Sequence, residues 1–149
     1  MFSREISPRP PANYIAYKAP DVLIVDDEEY VCRELVEYLR GRGFRANFET
    51  DPRSAIATIE RDPPLTILVD INMSELNGTR VVELVQNLGF NGVVILMSGD
   101  VDSVYRATAD RVNVLHVLEK PIPLEVLTRF LRGALAAKSR VSPGNGEVE

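Results

Sequence analysis

The sequence predicts an α/β fold, in which a five-stranded parallel sheet carries helices on both faces. Short apolar runs alternate five times with segments of helical periodicity along the chain. Several of the runs are continuously apolar, which is typical of strands buried on both faces. Alternating strands and helices form parallel sheets, and right-handed crossovers then restrict their topology. The 149 residues are enough for one domain with a single core.

The first two strand–helix units occupy residues 22–61. The apolar strand "VLIV" (22–25) precedes a helix at 30–40, where apolar residues recur at helical spacing and glycines follow. The segment "FRANFE" (44–49) alternates in polarity and is predicted as the second strand. Asp51-Pro52 then supplies an N-cap and a proline at the first position of a helix that ends near Arg61.

Three further units complete the pattern. "LTILVD" (65–70) is the third strand, and a helix at 79–88 follows it. "VVILMS" (93–98) is the fourth strand, followed by a short, weakly apolar helix at 102–110. "VLHVL" (114–118) is the fifth strand, and a helix with one apolar face is predicted at 124–137.

The two ends of the chain differ in composition from this folded region, which we place at 21–138. Residues 1–20 contain four prolines and predict an extended arm, and 139–149 predict a polar tail or the start of a linker. The chain shows neither a secretory signal nor an apolar run near the roughly 20 residues that span a membrane. Its net charge of −5 argues against general nucleic-acid binding. We therefore expect a cytoplasmic protein whose folded domain binds neither membranes nor nucleic acids.

Chemically reactive side chains follow four of the predicted strands. Asp26 and Asp27 follow the first strand, Asp70 ends the third, Ser98 ends the fourth, and Lys120 comes just after the fifth. The carboxyl ends of parallel strands meet at one edge of the sheet, where open α/β sheets bind their ligands. We therefore expect these five side chains to lie close together.

This set of side chains suits phosphoryl transfer. Two unit charges about 4 Å apart repel by roughly 4 kcal/mol at an effective dielectric near 20, so three clustered carboxylates favour a bound Mg²⁺. Lys120 and Ser98 can each contact a phosphoryl oxygen. A carboxylate can attack phosphorus and hold the group as an aspartyl phosphate. Asp70 is the central candidate because it lies between the acidic pair and the Ser98–Lys120 pair.

Four segments, "VLIVDDEE", "ILVDINM…NG", "VVILMSG" and "LEKP", resemble the receiver domain of two-component response regulators over about residues 21–137. The resemblance implies a flavodoxin-like sheet of strand order 2-1-3-4-5. It implies a phospho-accepting switch whose phosphoryl donor is a histidine kinase or a histidine phosphotransfer protein. The only enzymatic activity implied is self-phosphorylation from a donor and slow autodephosphorylation. The implied receivers of the signal are a downstream effector protein or a fused output domain, and a homodimer is left open.

The resemblance also implies a metal site. Asp70 resembles the phospho-acceptor and a ligand of Mg²⁺ or Mn²⁺. Asp27 resembles a direct ligand, and Asp26 a ligand that acts through water. The main-chain carbonyl of Asn72 resembles the third protein ligand.

The phosphate-binding residues are implied in the same way. Ser98 matches the switch hydroxyl and Lys120 the phosphate-pairing lysine, whose bond to Pro121 is implied to be cis. Asn72 and Asp100 flank the path of the water that attacks the aspartyl phosphate, and we expect them to modulate its lifetime.

The sequence departs from the family pattern at two positions. Ser74 follows Met73 where the family usually has proline, so the loop loses a φ constraint but no catalytic group. Val117 occupies the position of the usual Tyr or Phe, and the neighbouring His116 should point to the other side of its strand. Val117 is short and stiff at χ1. We therefore expect the response to phosphate to centre on Ser98 and the loop after it.

The sequence leaves two alternative classes of function. A degenerate receiver would act as a phosphorylation-independent binding or dimerisation module; Val117 leaves this open, whereas the intact Asp70 and Lys120 oppose it. An aspartyl phosphatase usually has a second acid two residues after its nucleophile. That position is Asn72, which disfavours turnover on external substrates.

Overall fold

A computed structural model of the chain describes residues 19–100, 102 and 113–148, with side chains as far as residue 138. The strands are β1 (Val22–Val25), β2 (Ala46–Glu49), β3 (Thr66–Asp70), β4 (Val93–Ser98) and β5 (His116–Glu119). The helices within these ranges are α1 (Glu29–Gly41), α2 (Pro52–Arg61), α3 (Gly78–Asn87) and α4 (Leu124–Val148). The predicted helix at 102–110, apart from Asp102, and the predicted arm up to residue 18 lie outside the described residues.

The five strands form one parallel sheet in the order β2-β1-β3-β4-β5, as predicted. Val25 of β1 pairs with Val69 of β3, so that Asp26 stands beside the last residue of β3. On the other side of β3, Asp70 pairs with Met97, the residue before Ser98. This register brings the carboxyl ends of β1, β3 and β4 level with one another, at the edge where the candidate side chains lie.

Helices cover both faces of the sheet, which confirms the predicted layers. Side chains of a strand alternate between the two faces, so Leu23 and Val25 pack towards α2 and α3, whereas Val22 and Ile24 pack towards α1 and α4. Every residue of β1 and β3 is buried. That double burial explains why these strands are continuously apolar in the sequence.

The largest difference from the predicted elements is at the C-terminal helix. The loss of apolar residues predicted an end near Ala137, but α4 continues to Val148. Backbone helix formation does not require an apolar face, and Lys138 and Arg140 are good helix formers. Pro143, Gly144 and Gly146 are poor ones, so helix propensity explains the continuation only as far as about Arg140. The division of the chain at residue 138 stays a prediction. Among the described residues, no helix is both long and apolar enough to cross a membrane.

The two edge strands are also shorter than predicted. β2 begins at Ala46 and not at residue 44, and β5 begins at His116 and not at residue 114. Each has one neighbouring strand, so its first residues lack a second partner that would keep them in the ladder. Leu115, just before β5, is accordingly 54% exposed.

Candidate functional site

The loop between β3 and α3, residues 71–77, is fixed at both ends. Ile71 and Met73 are buried in the apolar cluster on the α2–α3 face. At the other end, the Asn77 side chain accepts a hydrogen bond from the Thr79 N–H at 2.7 Å and caps α3. These contacts hold the backbone that follows Asp70.

Gly78 lies against the main chain of Asp70, so closely that a Cβ at this position would overlap the Asp70 carbonyl oxygen. Its N–H donates to the Ile71 carbonyl at 3.0 Å. A residue with a side chain would therefore displace the backbone that carries the Asp70 carboxylate. This close approach accounts for the glycine at position 78, the first residue of α3.

A buried ion-pair cluster stands at the carboxyl edge of the sheet. Lys120 Nζ lies 3.1 Å from Asp26 Oδ2 and 3.4 Å from Asp70 Oδ2. Asp26 is fully buried and Asp70 is 3% exposed. The structure thus brings one cation together with two carboxylates that lie far from it in the sequence: Lys120 is 94 residues from Asp26 and 50 residues from Asp70.

Asp26 has donors at both carboxylate oxygens. The Glu28 N–H donates to Oδ1 at 2.9 Å, and Lys120 donates to Oδ2 at 3.1 Å. The Cys32 thiol donates to the Asp26 main-chain carbonyl at 3.2 Å. Burial, followed by the charge of Asp26, raises the pKa of Cys32 to about 12, which keeps it a thiol. Cys32 therefore packs behind the site as a neutral residue.

The carboxyl group of Asp70 holds its proton more tightly than a solvated aspartate. Burial, followed by the negative charge of Asp26, raises the pKa of Asp70 from 3.8 to about 6. The Asn72 N–H, which donates to Asp70 Oδ1 at 3.2 Å, and the charge of Lys120 oppose this rise. At neutral pH the group is largely ionised, although two negative charges in this place are unfavourable.

Lys120 is held as a cation by its two partners. Burial by itself lowers the pKa of Lys120, but its hydrogen bond to Asp26 and the charges of Asp26 and Asp70 outweigh burial, so that this pKa is raised. The Lys120-Pro121 peptide bond is cis, as the resemblance implied. The Lys120 N–H also donates to the Ser98 carbonyl at 2.9 Å, which aligns the end of β5 with the end of β4.

Asp27 is partly exposed and points to the loop after β3. Its Oδ2 accepts hydrogen bonds from both the N–H and the hydroxyl of Ser74, at 2.9 and 3.1 Å. From the sequence, the only expected effect of Ser74 is the loss of a φ constraint in this loop. The signal that could have revealed the contact is the N–H itself, which a proline at this position lacks.

The three carboxylates suit a small divalent cation. One oxygen from each of Asp26, Asp27 and Asp70 lies within 4.8 Å of the others. Ligands of octahedral Mg²⁺ stand roughly 3 to 4 Å apart, because each metal–oxygen distance is about 2.1 Å. The spacing and the all-oxygen chemistry therefore fit Mg²⁺ or Mn²⁺ with little movement of the side chains.

Ser98 ends β4 with its side chain buried. Its Oγ accepts a hydrogen bond from the Asp100 N–H at 2.9 Å, so the hydroxyl hydrogen can still be donated. Asn72 and Asp100 are both exposed at this edge of the sheet. Of the loop 99–102, which is expected to respond to phosphate, residue 101 lies outside the described part of the chain, as do residues 103–112.

Val117 and His116 point to opposite faces of β5, as strand alternation predicts. Val117 is buried in the same apolar cluster as α2 and α3. His116 packs on the ring of Phe130 in α4, with ring centroids 4.7 Å apart. His116 therefore lies on the opposite face of the sheet from Val117.

The raised pKa of Asp70 makes a prediction about stability. Between pH 3.8 and about 6 the folded chain keeps a proton that the unfolded chain releases, so rising pH destabilises the fold through this group. Without divalent cations, Asp70→Asn is expected to raise the free energy of unfolding at pH 8 by about 1 kcal/mol or more. The gain should shrink as the pH falls from 6 to 4. Urea unfolding in EDTA across this pH range measures it.

The surface variant Asp62→Asn is the matched control, because its carboxylate is 46% exposed and contacts Arg61 at 2.9 Å. We expect this control to change stability little. If Asp70→Asn is less stable than the wild type at pH 8, the conclusion that the Asp70 charge destabilises the folded chain is wrong.

The family model for the response regulator receiver domain matches residues 22–132, which includes every described strand. The two-component response regulator PprB of Pseudomonas aeruginosa is 33% identical over 111 residues, covering 71% of this chain and 40% of its own length. The response regulator MprA of Mycolicibacterium vanbaalenii is 26% identical over 128 residues, covering 86% of this chain and 54% of its own length. The chain thus spans about half or less of these relatives.

A solved structure gives the same result for the fold. The CheY-like receiver domain protein of Methanospirillum hungatei superposes with a TM-score of 0.71 and 21% identity, over 83% of this chain and 98% of its own. This likeness extends across all of that domain, so the sheet and its helices follow the receiver architecture. The match of the family model over residues 22–132, most of the sequence, shows that the chain belongs to the response regulator receiver domain family.

Proposed function

We propose that this chain is a phospho-accepting switch of a two-component system and that Asp70 is the residue that carries the phosphoryl group. One observation above all supports the proposal: the Asp70 carboxylate is nearly buried, 3.4 Å from Lys120 Nζ, in a group with Asp26 and Asp27. A buried carboxylate that shares its cation with a second acid is poorly suited to a merely structural role.

Asp70 would act as the nucleophile. One carboxylate oxygen forms a bond to phosphorus while the bond between phosphorus and the donor breaks, and the electron pair of that bond leaves with the donor group. The product is an acyl phosphate on Asp70. Water later attacks the phosphorus, restores the carboxylate and releases inorganic phosphate.

The neighbouring side chains would stabilise the transferred group. Lys120 already lies beside Asp70 and would place its charge against a phosphoryl oxygen. The Ser98 hydroxyl hydrogen would be donated to another oxygen. Asp27, Asp70 and the main-chain carbonyl of Asn72 would hold Mg²⁺ or Mn²⁺, with Asp26 acting through water; bound there, the ion would neutralise phosphoryl charge.

The hydrogen bonds that Asp26 accepts support its proposed role as a ligand that acts through water. Both of its carboxylate oxygens already accept hydrogen bonds, from the Glu28 N–H and from Lys120. Asp27, by contrast, is partly exposed, and both of its described hydrogen bonds fall on Oδ2. Asp27 is therefore the better placed of the two for direct contact with a cation from solvent.

The proposed partners follow from the relatives, which are named as response regulators. The phosphoryl group would come from a sensor histidine kinase or a histidine phosphotransfer protein. The phosphorylated state would be passed to an effector protein or to an output domain. Asn72 and Asp100 would set the lifetime of the phosphorylated state through the water that attacks it.

The test is phosphoryl incorporation in the purified full chain. With Mg²⁺ and acetyl phosphate, the intact mass should rise by one phosphoryl group, and hydroxylamine should remove the gain because it cleaves acyl phosphates. EDTA should prevent labelling, since the acidic cluster then lacks its cation. A chain that binds Mg²⁺ but is never labelled, by acetyl phosphate or by phosphorylated kinases, would support the phosphorylation-independent binding module in its place.

A further inference from the structure

Ser74 joins two loops that the chain places far apart. Its N–H and its hydroxyl both donate to Asp27 Oδ2, at 2.9 and 3.1 Å, across 47 residues of sequence. Ser74 belongs to the loop after β3 and Asp27 to the loop after β1. The two bonds therefore connect the segment that carries Asp70 to the segment that carries the acidic pair.

The geometry of these two bonds determines how the Asp27 carboxylate is oriented. Both donors engage the same oxygen, and a carboxylate has about four lone-pair sites on two oxygens. A carboxylate anchored at Oδ2 keeps Oδ1 for a further ligand. One carboxylate oxygen of Asp27 lies within 4.8 Å of a carboxylate oxygen of Asp26 and of Asp70 in this arrangement.

We propose that Ser74 is a positioning residue for the cation: it holds the Asp27 carboxylate and the loop after β3 in the arrangement that binds Mg²⁺. This inference rests on the proposed function, because it requires the cation site at Asp26, Asp27 and Asp70. It goes further than the proposed function because it gives a role to Ser74, which donates two hydrogen bonds to the proposed ligand Asp27.

The physical reason is preorganisation. A partly exposed aspartate without partners samples several rotamers, and binding a cation would then have to order both the side chain and the loop. Hydrogen bonds to ligating carboxylates remove part of that entropic loss, and loss of such partners typically lowers metal affinity about 10- to 100-fold. Because Ser74 is exposed, we expect the loss of Mg²⁺ affinity on removing its hydroxyl to lie at or below the lower end of this range.

The test compares variants that differ only at the hydroxyl. Ser74→Ala removes the hydroxyl and keeps the N–H, so the Mg²⁺ dissociation constant of the full chain should rise about 3- to 10-fold. Ser74→Thr keeps the hydroxyl and should restore an affinity close to that of the wild type. Isothermal titration with Mg²⁺ alone measures both and needs no phosphoryl donor.

The matched control is Ser54→Ala. Ser54 Oγ donates to Asp51 Oδ2 at 3.0 Å, which is the same kind of exposed contact, but at the start of α2 and away from the acidic cluster. Mg²⁺ affinity should be unchanged in this variant. A loss of affinity equal to that of Ser74→Ala would show a general effect of removing surface hydroxyls, and would overturn the proposal.

Hydrogen exchange gives a second readout. In EDTA, amides of residues 71–77 should exchange faster in Ser74→Ala than in the wild type, and saturating Mg²⁺ should reduce the difference. If the wild type binds Mg²⁺ and Ser74→Ala binds it equally or more tightly, the proposed role of Ser74 is refuted, while the cation site itself is not. Absence of Mg²⁺ binding by the wild type would refute the cation site of the proposed function, and the role of Ser74 with it.

Discussion

Replacement of Asp70 by asparagine is expected to reduce phosphoryl incorporation from acetyl phosphate at least about 100-fold, which corresponds to ~2.7 kcal/mol or more in activation free energy. The neutral amide oxygen is a far weaker nucleophile than a carboxylate oxygen. The change also removes one of the negative charges around Lys120 Nζ, now 3.4 Å away. Time courses of intact mass in Mg²⁺ measure the effect.

The structure allows this loss to be separated from misfolding. Asparagine has nearly the shape of aspartate, and the raised pKa of Asp70 shows that its charge is unfavourable in the folded chain without a cation. A variant that is unlabelled but at least as stable as the wild type at pH 8 therefore identifies the nucleophile. Labelling of Asp70→Asn at the wild-type rate would place the phosphoryl group on another residue.

Replacement of Asp27 by asparagine is expected to raise the Mg²⁺ dissociation constant at least about tenfold, or ~1.4 kcal/mol. Asp27 is the partly exposed member of the acidic group. The substitution removes a full negative charge but leaves one side-chain oxygen that can still accept a hydrogen bond from Ser74. Labelling by acetyl phosphate should fall in parallel, because the cation neutralises the phosphoryl group. Titration with Mg²⁺ gives the affinity directly.

Asp26→Asn is the matched comparison for this measurement. Asp26 is fully buried and its oxygens already accept from the Glu28 N–H and from Lys120, so we expect a smaller loss of Mg²⁺ affinity than in Asp27→Asn. This variant also removes the charge closest to Lys120, and its stability should be measured beside its affinity. A larger effect at Asp26 than at Asp27 would exchange the two assigned roles.

Much of the fold could be predicted because its causes are local. The strand "VVILMS" lies where its apolar composition places it, and the helix from Pro52 to Arg61 begins at the predicted proline. Asp51 precedes that helix as predicted, but its side chain accepts no hydrogen bond from the helix N–H groups and so does not cap it. The strand order also followed, through the resemblance. The end of α4 was predicted too early, since periodicity detects an apolar face and not the helical backbone that continues without one.

The residues that meet at the site could also be predicted from the sequence, but their individual contacts could not. Strand ends in a parallel sheet share one edge, so the sequence alone indicated that Asp26, Asp70 and Lys120 would meet, and they do. Which carboxylate Lys120 approaches more closely could not be predicted. That choice depends on distances of 3.1 and 3.4 Å set by the packing of three strands.

The sequence by itself therefore determined the kinds of chemical group at the site and the strand ends that carry them, because hydrophobic periodicity and the rules of parallel sheets act on residue order alone. Only the tertiary structure decided how those groups are partnered: Asp26 is buried under Lys120, and Asp27 is held by Ser74. Hydrogen bonds form within about 3 Å and depend on direction. Contacts of this kind join residues 47 and 94 positions apart, and no local pattern in the sequence specifies them.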